Sequence, residues 1–158
     1  LRAVEYVNEQ QKSILFRKLS AYYGGDLKGK TIALWGLAFK AETDDMREAT
    51  SLVTINLLLE AGCTIRVFDP VAMDECRRRL GDKVIYAKDI YDAVLGADAL
   101  LLLTEWKQFR LPSWEVVRRA MNTPILIDGR NLYSPSEMCE NGFEYFSIGR
   151  PNICEVPE

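Results

Sequence analysis

Short apolar runs alternate with longer stretches whose apolar residues recur at helical spacing, and their order predicts a strand–helix alternation. Thr31–Leu34, Thr64–Phe68, Val84–Tyr86, Ala99–Leu103, Pro124–Ile127 and Glu144–Ile148 read as strands. Met46–Ala61, Met73–Leu80, Asp89–Leu95, Ser113–Met121 and Ser134–Cys139 read as the helices between them. Several of these helices end at a glycine, Gly62, Gly81 and Gly96, and the last at Asn141-Gly142. Ala99–Leu103 is unbroken apolar sequence, suited to a sheet centre buried on both faces. Ahead of the first strand, Val4, Val7, Ile14, Leu15, Leu19 and Tyr22 mark a helix that stops at Gly24-Gly25. Alternation with short links implies an α/β chain: a doubly wound, mostly parallel, Rossmann-like sheet preceded by a helix.

The chain opens at Leu1 inside that helical pattern, with no cap in front of it. The expectation is an excised domain of a larger protein. Residues 1–28 are the end of a longer helix and a linker, 29–150 the Rossmann-like domain, and 151–158 a tail. A net charge of −3 argues against general nucleic-acid binding, which requires a basic surface to displace counterions. No apolar run approaches the ~20 residues that span a bilayer, so no membrane contact is expected. The four cysteines, Cys63, Cys76, Cys139 and Cys154, form no C-x-x-C pair, and the chain has no histidine. Neither a zinc site nor a disulfide framework is indicated, and the plain expectation is a reduced, cytoplasmic protein. The missing histidine also removes every Ser-His-Asp arrangement.

In open parallel sheets ligands sit outside the carboxyl ends of the strands. Four loops qualify, and each carries polar residues: Lys40 to Arg47, Asp69, Thr104-Glu105, and Asp128 to Arg130. The first loop follows a strand but has neither G-x-G-x-x-G nor G-x-x-x-x-G-K-[ST]. Asp45 and Glu48 match a capping box, so Thr43, Asp44 and Asp45 either start a helix or face a ligand. Arg47 then falls in the first helical turn, where the dipole disfavours a cation unless an anion joins it. Lys40 lies near the same mouth. Arg130, just past Ile125-Leu126-Ile127, suits bidentate phosphate binding, or else pairs structurally with Asp128. Asp69 stands where dinucleotide folds place a ribose-binding acid, but before Pro70 it reads rather as a turn former. Trp35, Trp106 and Trp114 read as packing residues, and Arg77-Arg78-Arg79 as a solvated helix face. Cys63 reads as a small buried residue. The residues alone thus describe an anion-binding α/β domain without a complete catalytic set.

The segments VNEQQ, GKTIALWGLAFKAETDDMREATS, VFDP, TEW-x-x-F and DGRN together resemble the C-terminal, UDP-binding domain of the UDP-glucose/GDP-mannose dehydrogenase family, its UDP-glucose 6-dehydrogenase branch in particular. The likeness runs from Val7 to Arg150 and departs from a common family form at Ala41, where proline or lysine is frequent. It implies a domain that closes over the UDP end of UDP-glucose in an enzyme using two NAD+ to make UDP-glucuronate. It also implies a dimer formed through a central helix. In this family NAD is bound mainly by an N-terminal domain, and the catalytic cysteine lies in a G-x-C-x-P-K-D motif. Neither that motif nor an NAD fingerprint is in this chain, so no residue here is expected to be catalytic and no metal is implied. The resemblance puts Phe39, Lys40 and Arg130 on the UDP-sugar, with Asp128 orienting Arg130, and Arg47 towards the NAD diphosphate or ribose. Two alternatives stay open: a sibling dehydrogenase for UDP-N-acetyl-hexosamines or GDP-mannose, and a non-catalytic nucleotide-binding module.

Overall fold

The structure is a computed structural model in which residues 11–47 and 49–149 are described. The alternation predicts a doubly wound, mostly parallel sheet, and six strands do form one sheet, all parallel, in the order β3-β2-β1-β4-β5-β6. They are β1 (Thr31–Trp35), β2 (Thr64–Phe68), β3 (Ile85–Tyr86), β4 (Ala99–Leu102), β5 (Ile125–Asp128) and β6 (Glu144–Ser147). The helices are α1 (Ile14–Tyr22), α2 (Thr50–Glu60), α3 (Met73–Leu80), α4 (Ile90–Ala93), α5 (Trp114–Ala120) and α6 (Pro135–Glu140). No helix of the described residues is long and apolar enough to cross a membrane.

The two-residue period of the strands sorts their side chains into two cores. Ile32 and Leu34 of β1, Ile65 and Val67 of β2, Leu101 of β4, and Ile125 and Ile127 of β5 point to one face. There they meet Leu15 and Leu19 of α1, Ile55 and Leu58 of α2, and Cys76 and Leu80 of α3. The residues between them, Ala33, Trp35, Leu100, Leu102 and Leu126, point to the other face and meet Ala93, Trp114, Val117 and Met138. Helices on both faces explain why β4 and β5 are buried throughout. Ser51, Thr54, Ile55 and Leu58 are the buried stripe of α2, at the i, i+3, i+4, i+7 spacing of an amphipathic helix.

Most expected boundaries shift by a residue or two, and one moves further. The helix anticipated from Met46 begins at Thr50, with Ala49 extended at ψ 141°. Local side-chain bonds explain the delay. Thr43 Oγ1 accepts from Asp45 N (3.2 Å), and Asp45 Oδ1 from Arg47 N (2.9 Å). Such bonds offer the backbone an alternative to the helix. Asp45 therefore does not cap α2, and Glu48, the other half of the anticipated capping box, lies outside the described residues. So do Val4 and Val7 of the first helix, Arg150 and the 151–158 tail.

The cysteine expectation is corrected at one position. Cys63 and Cys76 are free and buried, but Cys139, at the end of α6, is disulfide-bonded. Spacing along the chain is a poor guide here, because bridging depends on a Cα separation of about 4.4–6.8 Å in space.

Candidate functional site

The parallel registers bring the strand ends into one row. Trp35 stands beside Phe68 and Leu102, Leu102 beside Asp128, and Asp128 beside Ser147. The loops that leave this row are bound to one another by buried polar groups. Asp69, 1% exposed, receives Leu37 N (2.7 Å), Ala38 N (3.3 Å) and Trp106 Nε1 (3.3 Å) on Oδ2, and Val71 N (2.9 Å) and Ala72 N (2.8 Å) on Oδ1. The turn-forming role is present, and the same carboxylate also ties the β1, β2 and β4 loops together. Both its oxygens are engaged by protein donors, which removes it as a ribose ligand. Thr104 Oγ1 donates to Ala38 O at 2.7 Å. Gly36, at φ +99°, lies so close to Thr104 that a Cβ there would stand 2.5 Å from the threonine Cβ and 2.6 Å from its backbone N. Its own N–H donates to Phe68 O. The glycine thus serves loop packing, not the approach of a pyrophosphate.

Asp128 organises the opposite end of the row. It is fully buried and accepts from Arg130 N (2.9 Å) on Oδ1 and from Tyr133 N (3.1 Å) and Tyr145 Oη (2.7 Å) on Oδ2. Asn131, at φ +53°, completes the loop. Its side-chain amide donates to Ile148 O and accepts from Ile148 N, fastening the loop to the end of β6. Asp128 therefore holds Arg130 through its backbone. The Arg130 guanidinium pairs instead with Glu105, whose Oε1 accepts from Nε at 3.1 Å and lies 3.0 Å from Nη2. The anticipated Asp128–Arg130 side-chain pair is not formed.

Arg130 opens onto a groove of about 210 Å³. One side carries Gln11 and Lys12 beside Ile14 and Leu15 of α1; the rest is Thr50 at the start of α2, Leu103, Gly129 and Ile148. Gly129 keeps this wall tight, since a Cβ there would come within 2.9 Å of both Leu102 O and Leu15 Cδ1. An arginine, a lysine, the first residue of an 11-residue helix and several apolar side chains thus share one concavity.

The other anticipated site residues fall elsewhere on the same edge. Phe39 is 44% exposed, and Lys40 Nζ lies 5.2 Å from its ring centroid. Neither lines the groove beside Arg130. Arg47 is not in the first turn of a helix, so the argument from an unfavourable dipole does not apply to it. It is held by Asp45, with Nη2–Oδ2 at 2.9 Å and Nε–Oδ1 at 3.1 Å. That pairing and the bond from Arg47 N draw the Asp45 carboxyl down to about 2. Arg47 opens onto a separate polar basin of about 400 Å³ that it shares with Glu75, Arg78 and Arg79. The Arg77-Arg78-Arg79 face is exposed, with Arg78 and Arg79 paired to Glu75.

The remaining candidates are structural. Trp35 is buried, stacks on Phe109 and Trp114, and donates from Nε1 to Ile90 O. Burial pushes the Cys63 and Cys76 thiols up to about 11, which leaves little nucleophilic thiolate at neutral pH. No cluster of three or more metal-ligating side chains occurs among the described residues.

These features define a class: a doubly wound α/β domain with an arginine-lined groove beyond its strand ends. The model of the UDP-glucose/GDP-mannose dehydrogenase family, UDP binding domain, matches residues 33–135, and the chain belongs to that family. UDP-glucose 6-dehydrogenase of Pseudomonas aeruginosa is 51% identical over 156 residues, 96% of this chain and 34% of that protein. The enzyme of the same name from Rhizobium meliloti is 40% identical, over 92% of the chain and 33% of its own length. Among solved structures, a UDP-glucose dehydrogenase from Pyrobaculum islandicum aligns with a TM-score of 0.65 and 32% identity, over 84% of this chain and 28% of that one. An NDP-N-acetyl-D-galactosaminuronic acid dehydrogenase from Methanosarcina mazei aligns at 0.75 with 26% identity, over 95% and 31%. The chain thus spans about a third of the length of the curated relatives it matches.

Proposed function

We propose that the chain is the UDP-sugar-binding part of an NAD-dependent UDP-glucose 6-dehydrogenase, oxidising UDP-glucose to UDP-glucuronate as a cytoplasmic homodimer joined through its central helix. The supporting observation is the placement of Arg130. Its backbone is fixed by a buried aspartate, and the residue borders a groove that also holds a helix start. Such a combination suits a diphosphate, which takes charge-assisted bonds from arginine and from helix N-terminal N–H groups. At about 210 Å³ the groove is smaller than the roughly 300–1,000 Å³ of a complete small-molecule site. It fits one end of a nucleotide sugar, with the remainder supplied by the rest of the enzyme. Phe39 and Lys40, exposed on the same edge, are proposed to meet the UDP-sugar when that remainder closes over them.

Two loop positions that could mark a resident NAD site are taken up by the fold itself. Gly36 is packed against Thr104, and Asp69 is consumed by five protein donors. Arg47, 79% exposed and in its own basin, is the proposed contact from this domain to an NAD held elsewhere. Its separation from Arg130 supports a division between two ligands.

The test is calorimetric titration of the full-length enzyme with UDP, with GDP as the control. Arg130→Ala is expected to weaken UDP binding by about 2 kcal/mol. That is the lower part of the range for a hydrogen bond to a charged group, because Arg130 is 40% exposed and partly screened. Arg47→Ala should leave UDP binding unchanged and raise the KM for NAD. An unchanged Kd for UDP in Arg130→Ala refutes the reading of that residue. Preferential turnover of GDP-mannose or a UDP-N-acetyl-hexosamine would move the enzyme to a sibling activity, and no turnover of any of them would favour a binding module.

A further inference from the structure

We infer that Glu105, on the loop after β4, is a positioning residue for Arg130 and sets its readiness for the substrate's phosphates; this rests on the reading of Arg130 as an anion contact. An arginine carries five N–H donors in a planar fork with two edges. Glu105 Oε1 engages the Nε and Nη2 edge, at 3.1 and 3.0 Å, and Nη1 takes no part in the pair. Arg130 lines the groove and Glu105 does not, so the carboxylate holds the guanidinium from outside the wall. The two ends of the pair are also anchored independently. Arg130 is fixed at its backbone by Asp128, and Glu105 follows Thr104, whose hydroxyl is bonded to Ala38 O. The side chain is thereby held from both ends across 25 residues of sequence.

Two effects of Glu105 oppose each other. Its negative charge repels an incoming phosphate, but both partners are 40% exposed, where solvent and salt weaken charge interactions. Restricting a long side chain before binding lowers the entropy lost when the ligand arrives. The geometry favours the second effect, because the carboxylate stands outside the groove.

The experiment is a double-mutant cycle in the full-length enzyme, reading UDP affinity by calorimetry and the kcat and KM for UDP-glucose. Glu105→Ala should weaken UDP binding about fivefold, near the upper end for a partly exposed ion pair, and raise KM with kcat largely kept. Glu105→Gln retains an acceptor oxygen without the charge and should stay within about twofold of the wild type. The double variant Glu105→Ala/Arg130→Ala should bind no more weakly than Arg130→Ala alone. The inference is overturned by unchanged or tighter binding in Glu105→Ala, by a Glu105→Gln loss as large as that of Glu105→Ala, or by additive losses in the double variant. If Arg130→Ala itself leaves UDP binding intact, both the inference and the reading beneath it fall. If only Arg130→Ala weakens binding, the inference alone fails.

Discussion

Asp69→Asn is expected to destabilise this chain far more than a change of one atom suggests. The carboxylate accepts two backbone N–H groups on Oδ1, and two backbone N–H groups with the Trp106 indole on Oδ2. An asparagine is nearly isosteric but keeps one acceptor oxygen. Whichever way its amide turns, the NH2 replaces one carboxylate oxygen and faces at least two N–H donors. Each buried donor left without an acceptor costs about 1–3 kcal/mol, so two give about 2–6 kcal/mol. Removing a buried charge relieves part of its desolvation cost, which sets the expectation in the lower half of that range, about 3 kcal/mol. Against a total stability of about 5–15 kcal/mol this is a large fraction. The assay is equilibrium urea unfolding followed by tryptophan fluorescence, since Trp35, Trp106 and Trp114 are all buried. The midpoint should fall with an unchanged slope. A loss below about 1 kcal/mol would show that Asp69 does not tie the three loops together.

Gly36→Ala should cost more than about 3 kcal/mol, because a left-handed backbone and a 2.5 Å approach to the buried Thr104 act together. Gly29→Ala, with φ +80° but open space around it, should cost only about 1–2 kcal/mol; equal losses in urea unfolding would refute the packing argument. Stability should also decline in alkali. Burial raises the Tyr133 hydroxyl well above its ordinary value and moves Tyr86 up to about 12, while a hydrogen bond to Glu144, helped by burial, moves Tyr22 to about 12. A folded pKa above the unfolded one means that this stability is full below about pH 10 and is lost as the pH rises towards 12. Absorbance at 295 nm should show a late-titrating group of tyrosines in the folded chain, and their ionisation together near pH 10 would contradict this.

The alternation of apolar runs is enough to deduce the parallel sheet, because a sheet covered on both faces requires continuous apolar strands such as Leu100–Leu102. The rule that ligands sit beyond the strand ends directs attention to this edge and brings Arg130 into view before any coordinate is known. DGRN and the accompanying motifs carry the family, because their residues and spacing are specific in combination. What tertiary structure alone decides is the partner of each polar group. Asp69 looks like a local turn former, yet three of its five donors arrive from loops 31, 32 and 37 residues away. Arg130 appears matched to its neighbour Asp128, yet its guanidinium finds Glu105, 25 residues distant. Arg47 reads as the first turn of a helix because its residues permit one, and the bonds among Thr43, Asp45 and Arg47 defer that helix to Thr50. Periodicity along the chain registers which residues share a face. It carries no information about which loops the closed sheet edge brings within 3 Å, and in this domain those encounters set the geometry of the groove.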